Sequence, residues 1–136
     1  LIRDFAHSPS KLTASVNATR ETFKDNFIIG VYELHTFSSL DPNFINQYSG
    51  SLDSCDLPIV FYDKKNKKLQ DSNSINNKII SNAFNIQNLI IIDNSEDLFS
   101  YLMSIEYKKT CLLLMSSGNF GSMNIDKLKS YISNES

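Results

Sequence analysis

The chain has 136 residues, of which 41% are hydrophobic and 21% charged, and its formal net charge is -2 at pH 7. This is the composition of one ordinary globular domain that can bury a core, so we take residues 1–136 as one domain. The chain has no basic stripe, and its longest apolar runs, 89–92 and 111–115, are too short to span a bilayer. We therefore expect neither nucleic acid nor a membrane as a partner.

The first residue and the cysteines indicate what kind of protein the chain comes from and where in the cell it is expected. It begins at Leu1, without a methionine and inside a strand-like run, which suggests a fragment of a larger protein. Cys55 and Cys111 form no metal or redox motif, and Cys111 lies in an apolar run where a small core residue is expected. Because nothing requires an oxidising compartment and no signal-peptide pattern opens the chain, the expected location is the cytoplasm.

The first half of the chain alternates apolar runs of strand length with segments of helical periodicity. The run 27–34 is apolar on both faces, as expected for a buried parallel strand. Ser8 and Asp41 are residue types that cap helices, and each is followed by a proline, which suits a first helical turn. The predicted elements are a strand over 1–6, a helix from Pro9, a strand over 27–34, a helix from about Pro42 and a strand over 57–62.

The second half continues this alternation. The lysine-rich segment 63–73 is predicted to be a solvated loop rather than a binding patch. Ser95 is predicted to cap a helix whose first turn carries Glu96 and Asp97, where the helix dipole favours acidic side chains. The other predicted elements are a helix over 75–84, a strand over 89–92, a strand over 110–115, a glycine-containing loop over 116–121 and a final helix over 125–132.

Five strands that alternate with helices predict an α/β fold. The expected architecture is a Rossmann-like, mostly parallel sheet of five to six strands, with helices on both faces and right-handed crossovers. Ligands of such sheets gather where the strands end, at their carboxyl ends. Three loops with unusual chemistry fall at these ends, namely 4–9, 33–39 and 116–121, and the functional site is sought there.

The first loop reads D-F-A-H-S-P from Asp4. An aspartate at a strand end and a histidine at a strand-to-helix turn can bind ribose hydroxyls and phosphate, although from spacing alone structural roles are the simpler interpretation. The segment resembles the D-[FY]-[AG]-H-x-P motif that opens the C-terminal domain of the Mur ligases. The resemblance implies that Asp4 holds the ribose of ATP, with Phe5 and His7 beside the nucleotide. Where the family often has a further aspartate and a further histidine, this chain has Arg3 and Ser8.

The second loop reads Y-E-L-H-T-F-S-S from residue 32. A structural loop histidine is the simpler interpretation of His35 alone. The segment resembles the strand-end motif of the alanine-adding Mur ligase, which is usually close to Q-P-H-x-Y-S-R, and this implies that His35 and Ser38 bind substrate. Where that ligase usually carries arginines, this chain has Thr36 and Ser39. Bidentate carboxylate recognition usually relies on arginine, which argues against a simple alanine-adding activity.

The third loop ends a buried strand with small polar residues and glycine, as M-S-S-G-N-F-G. Such an ending would leave backbone N–H groups free to meet an anion, although glycine turns are common and a Ser-Ser-Gly loop alone is weak evidence. The segment resembles the M-[GS]-[AN]-G motif beside the acceptor of the Mur ligases, and is most similar to the form in the murein-tripeptide-recycling ligase. This implies that Ser116, Ser117 and Gly118 bind the amino-acid or peptide acceptor.

The resemblance runs from Leu1 to about Asp126, with three motifs in the family's order. It implies the C-terminal domain of an ATP- and Mg²⁺-dependent ligase of peptidoglycan synthesis or recycling. Such a ligase joins an amino acid or peptide to UDP-N-acetylmuramate through an acyl phosphate, and the murein-tripeptide type is favoured over the alanine-adding type. The phosphate-binding G-x-x-x-x-G-K-[ST] loop is absent. In the family it lies in an upstream central domain that holds most of the ATP and Mg²⁺, so we expect no catalytic or metal-binding residue here and no activity of the isolated chain.

Two alternatives remain open from the sequence. A folylpolyglutamate-synthase-like ligase shares the architecture, and folate binding would distinguish it. A stand-alone α/β binding module without a catalytic parent is the other, and an upstream reading frame that encodes G-K-[ST] would exclude it.

Overall fold

The computed structural model describes residues 1–34, 45–65 and 77–135. The described strands form one parallel sheet: β1 Ile2–Asp4, β2 Phe27–Glu33, β3 Leu57–Phe61, β4 Ile90–Ile92 and β5 Thr110–Met115, in the spatial order β1-β5-β2-β3-β4. The described helices are α1 Pro9–Thr22, α2 Asn77–Phe84, α3 Ser95–Met103 and α4 Ile125–Glu135, with a 3-10 turn at Asn46–Tyr48. The predicted α/β fold with a parallel sheet is confirmed.

The sheet separates two hydrophobic cores. Successive side chains of a strand point to opposite faces, so β2 supplies Ile28 to one core and Ile29 to the other. Helices α1 and α2 cover the first face, and α3 and α4 cover the second. The helical residues in these cores are Leu12 and Val16 of α1, Ile80 and Phe84 of α2, Leu98 and Leu102 of α3, and Leu128 and Ile132 of α4. Because both faces are covered, the edge where the strands end is the part of the sheet open to a ligand.

The helix starts have identifiable caps. Ser8 caps α1 as predicted, since its hydroxyl accepts the backbone N–H of Lys11 at 3.4 Å. The predicted cap of α3 is wrong by one residue, because Asn94 is the cap and Ser95 is the first helical residue. Asn94 Oδ1 accepts the N–H of Asp97 at 2.8 Å, and its amide donates to the Asp97 carboxylate at 2.8 Å. The asparagine amide supplies separate acceptor and donor atoms for these two bonds.

Strand boundaries differ from the prediction most at β1. The strand ends at Asp4 rather than at residue 6, because Asp4 Oδ1 accepts the N–H of Ala6 at 2.8 Å and turns the chain. Residues 42–44 of the helix predicted from Pro42, and the first two residues of the helix predicted over 75–84, lie outside the described residues. After residue 44 the described chain forms the 3-10 turn Asn46–Tyr48 instead of a longer helix, with Ile45, Tyr48 and Leu52 buried. No helix within the described residues is long and apolar enough to cross a membrane.

Arg20 fixes the amino edge, which is the edge of the sheet where the parallel strands begin. Its guanidinium donates to the carbonyls of Ser54, at 3.1 Å from Nη2, and Asn26, at 2.9 Å from Nη1. It also pairs with Asp56 Oδ2 at 2.6 Å, and the same oxygen accepts the N–H of Ile28 at 2.8 Å. One arginine thereby ties together the segments that lead into β2 and β3.

Both cysteines are buried free thiols, so the expectation of a core position for Cys111 is confirmed. Burial raises the pKa of the Cys55 thiol to about 12. Cys55 packs on the middle of β2, where a Cβ at Gly30 would overlap its Sγ atom. Gly30 is therefore required by close packing on the sheet.

Candidate functional site

The first predicted motif lies at the carboxyl edge, which is the edge of the sheet where the parallel strands end. Asp4 uses Oδ1 to hold the N–H of Ala6, and Oδ2 has no hydrogen-bond partner within the described residues. The Phe5 side chain is 73% exposed. His7 is also exposed, with Nδ1 3.1 Å from the carbonyl oxygen of Phe5. A large apolar ring left in solvent contributes nothing to the core, so Phe5 is a candidate binding residue.

These side chains line a recess of about 370 Å³, which Lys11 of α1 also borders. The combination fits a nucleoside phosphate: a carboxylate accepts ribose hydroxyls, an aromatic face stacks on a base, and an ammonium group attracts phosphate. Asp4, Phe5 and His7 were predicted from the sequence, whereas Lys11 was not. Lys11 could have been predicted from its position, because it is a basic residue in the first helical turn after the motif.

The third motif is held by internal hydrogen bonds. The Ser116 side chain is 2% exposed, and its hydroxyl donates to Glu33 Oε1 at 2.6 Å. The N–H of Gly118 donates to Ser116 Oγ at 2.7 Å, and the N–H of Phe120 donates to Glu33 Oε1 at 2.9 Å. The prediction that this loop leaves its N–H groups free for an anion is therefore wrong at Ser116, Gly118 and Phe120, since the N–H of Ser116 donates to Asp4 O.

The alternate residues of this loop face outward. Ser117 and Asn119 are exposed, and their backbone N–H groups have no acceptor within residues 1–34, 45–65 and 77–135. Gly118 is half-buried. Of the three residues predicted to contact an acceptor, Ser117 is thus the one on the surface, while the Ser116 hydroxyl shapes the loop from inside.

The sheet order brings the motifs together. β5 lies between β1 and β2, and the N–H of Ser116 donates to the carbonyl of Asp4 at 3.0 Å. The second motif continues from the end of β2, where Tyr32 is in register with Met115. The predicted substrate-binding residues His35 and Ser38 lie outside the described residues.

Glu33 joins the second motif to the third and was not singled out from the sequence. Its side chain is 3% exposed although it carries a carboxylate. A charge in an otherwise apolar strand was the signal that could have identified it, because buried carboxylates are retained where hydrogen bonds satisfy them.

The end of the third loop requires a glycine. Gly121 has a φ of +64°, and a Cβ there would lie 3.1 Å from Asp63 Oδ2 and 3.2 Å from Ser95 Cβ. The close approach brings the loop against the segment that follows β3 and the start of α3. In the part of the chain that the structure describes, no group of three or more His, Cys, Asp or Glu side chains could hold a metal ion.

Comparison with known proteins gives sequence relatives and similar structures, and no family model matches the chain. The chain is 28% identical over 134 residues to a UDP-N-acetylmuramate–L-alanine ligase of Sulfurihydrogenibium sp., covering 98% of this chain and 29% of the relative. It superposes with a TM-score of 0.66 on UDP-N-acetylmuramate-alanine ligase MurC of Thermotoga maritima, at 16% identity, covering 96% of this chain and 26% of that one.

A third similar protein is a domain from Haemophilus ducreyi, described as part of a UDP-N-acetylmuramate:L-alanyl-γ-D-glutamyl-meso-diaminopimelate ligase. The TM-score is 0.62 at 21% identity, covering 95% of this chain and 88% of that one. The resemblance to a Mur ligase C-terminal domain is thereby confirmed, and the chain spans about 29% of the length of the curated relative it matches. The similar proteins include both alanine and tripeptide ligases, so similarity does not distinguish the two acceptors.

Proposed function

We propose that this chain is the C-terminal domain of an ATP-dependent ligase that joins an amino acid or peptide to UDP-N-acetylmuramate. The observation that carries the proposal is the junction at the carboxyl edge. There the exposed Asp4 motif is bonded through its backbone to Ser116, and Ser116 is bonded to Glu33 at the entry to the His35 motif. The recess to which we assign the nucleotide and the loop to which we assign the acceptor thus lie side by side.

Each residue of the recess contacts a different part of the nucleotide in this proposal. ATP supplies the phosphoryl group that activates a substrate carboxylate as an acyl phosphate. Asp4 accepts the ribose hydroxyls through Oδ2, Phe5 and His7 flank the nucleotide, and Lys11 faces its phosphates. Positioning and charge neutralisation account for most of the catalysis in such phosphoryl transfers. The phosphate-binding loop and the main Mg²⁺ ligands are assigned to an upstream domain.

For the acceptor we favour the murein tripeptide. Neither arginine is placed to favour an amino-acid carboxylate at the 116–121 loop, because Arg20 is engaged at the amino edge and Arg3 lines a recess that includes no residue of that loop. The exposed Ser117 and Asn119 backbone offers hydrogen-bond donors of the kind that a peptide can use. L-Alanine remains the second candidate, because the curated relative from Sulfurihydrogenibium is an alanine ligase.

The isolated chain should not turn over ATP. It contains no G-x-x-x-x-G-K-[ST] loop to cradle the phosphates, and the recess at Asp4 contacts the nucleotide from one side. Steady phosphate release by the purified 136-residue chain would refute this part of the proposal.

The deciding experiment uses the full-length parent protein with UDP-N-acetylmuramate, ATP and Mg²⁺. Phosphate release is followed with L-alanine in one reaction and with L-alanyl-γ-D-glutamyl-diaminopimelate in another. Turnover with the tripeptide alone supports the favoured acceptor, and turnover with alanine alone supports the second candidate. Turnover with neither contradicts the proposal and favours a binding module, while folate-dependent turnover favours a folylpolyglutamate-synthase-like ligase.

A further inference from the structure

We propose that Glu33 is a positioning residue that presets the 116–120 loop for the acceptor, an inference that rests on the function proposed above. Glu33 is the last residue of β2, and its side chain is buried. Its Oε1 accepts hydrogen bonds from the Ser116 hydroxyl, at 2.6 Å, and from the N–H of Phe120, at 2.9 Å. A single carboxylate oxygen therefore holds both ends of the loop.

The conformation of the loop depends on these two contacts. Phe120 has a φ of +55°, in the left-handed region that is unfavourable for a non-glycine residue. Its N–H is tied to Glu33, and its buried ring packs against Phe61 with the ring centroids 6.1 Å apart. Ser116, which Glu33 holds in place, also restrains Gly118, because Ser116 Oγ accepts the N–H of Gly118 at 2.7 Å. Glu33 thus fixes the backbone at positions 116, 118 and 120.

A carboxylate is an unusual residue type for a position as buried as that of Glu33. A buried charge is costly, and an apolar side chain of similar size is usually compatible with a core. A rigid loop has a functional consequence, however, because a surface that is ordered before the ligand arrives avoids the entropic cost of ordering on binding. Since its two bonds to the loop are made with the buried Ser116 hydroxyl and the N–H of Phe120, Glu33 acts on the acceptor through the outward N–H groups of Ser117 and Asn119.

The test compares four variants of the full-length parent: Glu33→Ala, Glu33→Gln, Ser116→Ala and Ser51→Ala. Ser51 is a matched control, because it is 2% exposed like Ser116 and its hydroxyl donates a 2.6 Å hydrogen bond to Tyr48 O, without a bond to the 116–120 loop. For each variant, the KM values for ATP and for the acceptor are measured. Deuterium exchange of a peptide that covers the loop is measured alongside.

We expect Glu33→Ala to raise the KM for the acceptor about tenfold and to change the KM for ATP less than about twofold, because one charged hydrogen-bond acceptor is lost. Exchange in the 116–120 loop should become faster. Glu33→Gln retains an acceptor oxygen and should restore most of both values, while Ser51→Ala should alter neither. If Glu33→Ala does not fold, Ser116→Ala carries the test, since it releases Gly118.

Unchanged acceptor KM and unchanged loop exchange in Glu33→Ala would overturn the inference. So would a joint rise of both KM values that Ser51→Ala reproduces, because that is the pattern of general destabilisation. Failure of the proposed function gives a different result, in which the wild-type parent turns over neither acceptor. The rate of deuterium exchange in the 116–120 loop of Glu33→Ala would then show whether Glu33 holds the loop in its conformation.

Discussion

Arg20 at the amino edge and the Asp4 motif at the carboxyl edge use their polar groups in opposite ways. At the amino edge, the Arg20 guanidinium bonds to three backbone carbonyls and to the Asp56 carboxylate, so its hydrogen bonds are made within the fold. At the carboxyl edge, Asp4 uses one carboxylate oxygen, while Phe5 and His7 are exposed. The difference separates a side chain whose hydrogen bonds are made within the fold from side chains that are exposed to solvent, which is why we propose the latter as the ligand-binding ones.

The largest expected effect is at Asp4. In the full-length parent, Asp4→Ala should lower kcat/KM for ATP about 10- to 100-fold, because a hydrogen bond from a ribose hydroxyl to a carboxylate is lost. Asp4→Asn keeps the Oδ1 bond to the N–H of Ala6 and serves as the control for the turn. It should lose less activity than the alanine variant, with little loss of stability. If Asp4→Ala kept the wild-type kcat/KM for ATP, Asp4 would not be part of the nucleotide site.

Arg20→Ala is the converse test at the amino edge. It should lower the free energy of unfolding by about 2 kcal/mol, since the Ser54 and Asn26 carbonyls lose the guanidinium donor and the Asp56 carboxylate keeps only the N–H of Ile28 among its described donors. The KM for ATP should not change. Arg3→Ala, which removes the other arginine, is the matched control and should alter stability by less than about 0.5 kcal/mol. Chemical denaturation of the parent measures the stability change of both variants. A raised KM for ATP in Arg20→Ala would contradict the claim that the amino edge takes no part in ATP binding.

Gly30→Ala tests the packing of β2, the strand that runs from the amino edge to the Glu33 position at the carboxyl edge. Its Cβ would overlap Cys55 Sγ, so the variant should lose about 1 to 3 kcal/mol of stability. The double variant Gly30→Ala/Cys55→Ala should recover most of that loss, because the next nearest side-chain atom, Met115 Cε, is 3.6 Å from the new Cβ. Additive losses in denaturant titrations of the two single variants and the double variant would contradict this packing account.

The smallest expected effect concerns pH. Burial alone would raise the pKa of Asp56, but hydrogen bonds from the Ile28 N–H and the Arg20 guanidinium outweigh it and hold that pKa below its usual value. A carboxyl group with a lowered pKa in the folded state stabilises the fold fully above its unfolded pKa of about 3.9, and this contribution is lost as the pH falls through the folded pKa. Asp56→Asn should therefore flatten the acid limb of the stability profile. Equal acid limbs for variant and wild type would contradict the assignment.

The sequence was sufficient for the fold because its signals were local. The apolar run 27–34, the cap at Ser8 and the alternation of strands with helices all follow from neighbouring residues, and the parallel sheet agrees with them. The cap at Asn94 was missed because a serine stood next to it and both types cap helices well.

The details of the site depended on contacts between distant residues. The bond from Ser116 to Glu33 joins residues that are 83 positions apart, and no local pattern indicates it. The same two side chains explain why the loop N–H groups predicted to be free are partly used within the chain, because Ser116 Oγ accepts that of Gly118 and Glu33 Oε1 accepts that of Phe120. In contrast, Asp4, Phe5 and His7 were predicted from one short motif that resembles a known family's, and the structure places them at the end of β1 and directly after it.

The most direct test of the central claim is hydrogen–deuterium exchange of the full-length parent, with and without a non-hydrolysable ATP analogue, UDP-N-acetylmuramate, Mg²⁺ and the acceptor L-alanyl-γ-D-glutamyl-diaminopimelate. The account predicts protection of segments 4–11 and 116–120 at the carboxyl edge, and unchanged exchange in segments 20–28 and 53–57 at the amino edge. Protection confined to the amino edge, or no protection of segment 4–11, would contradict it.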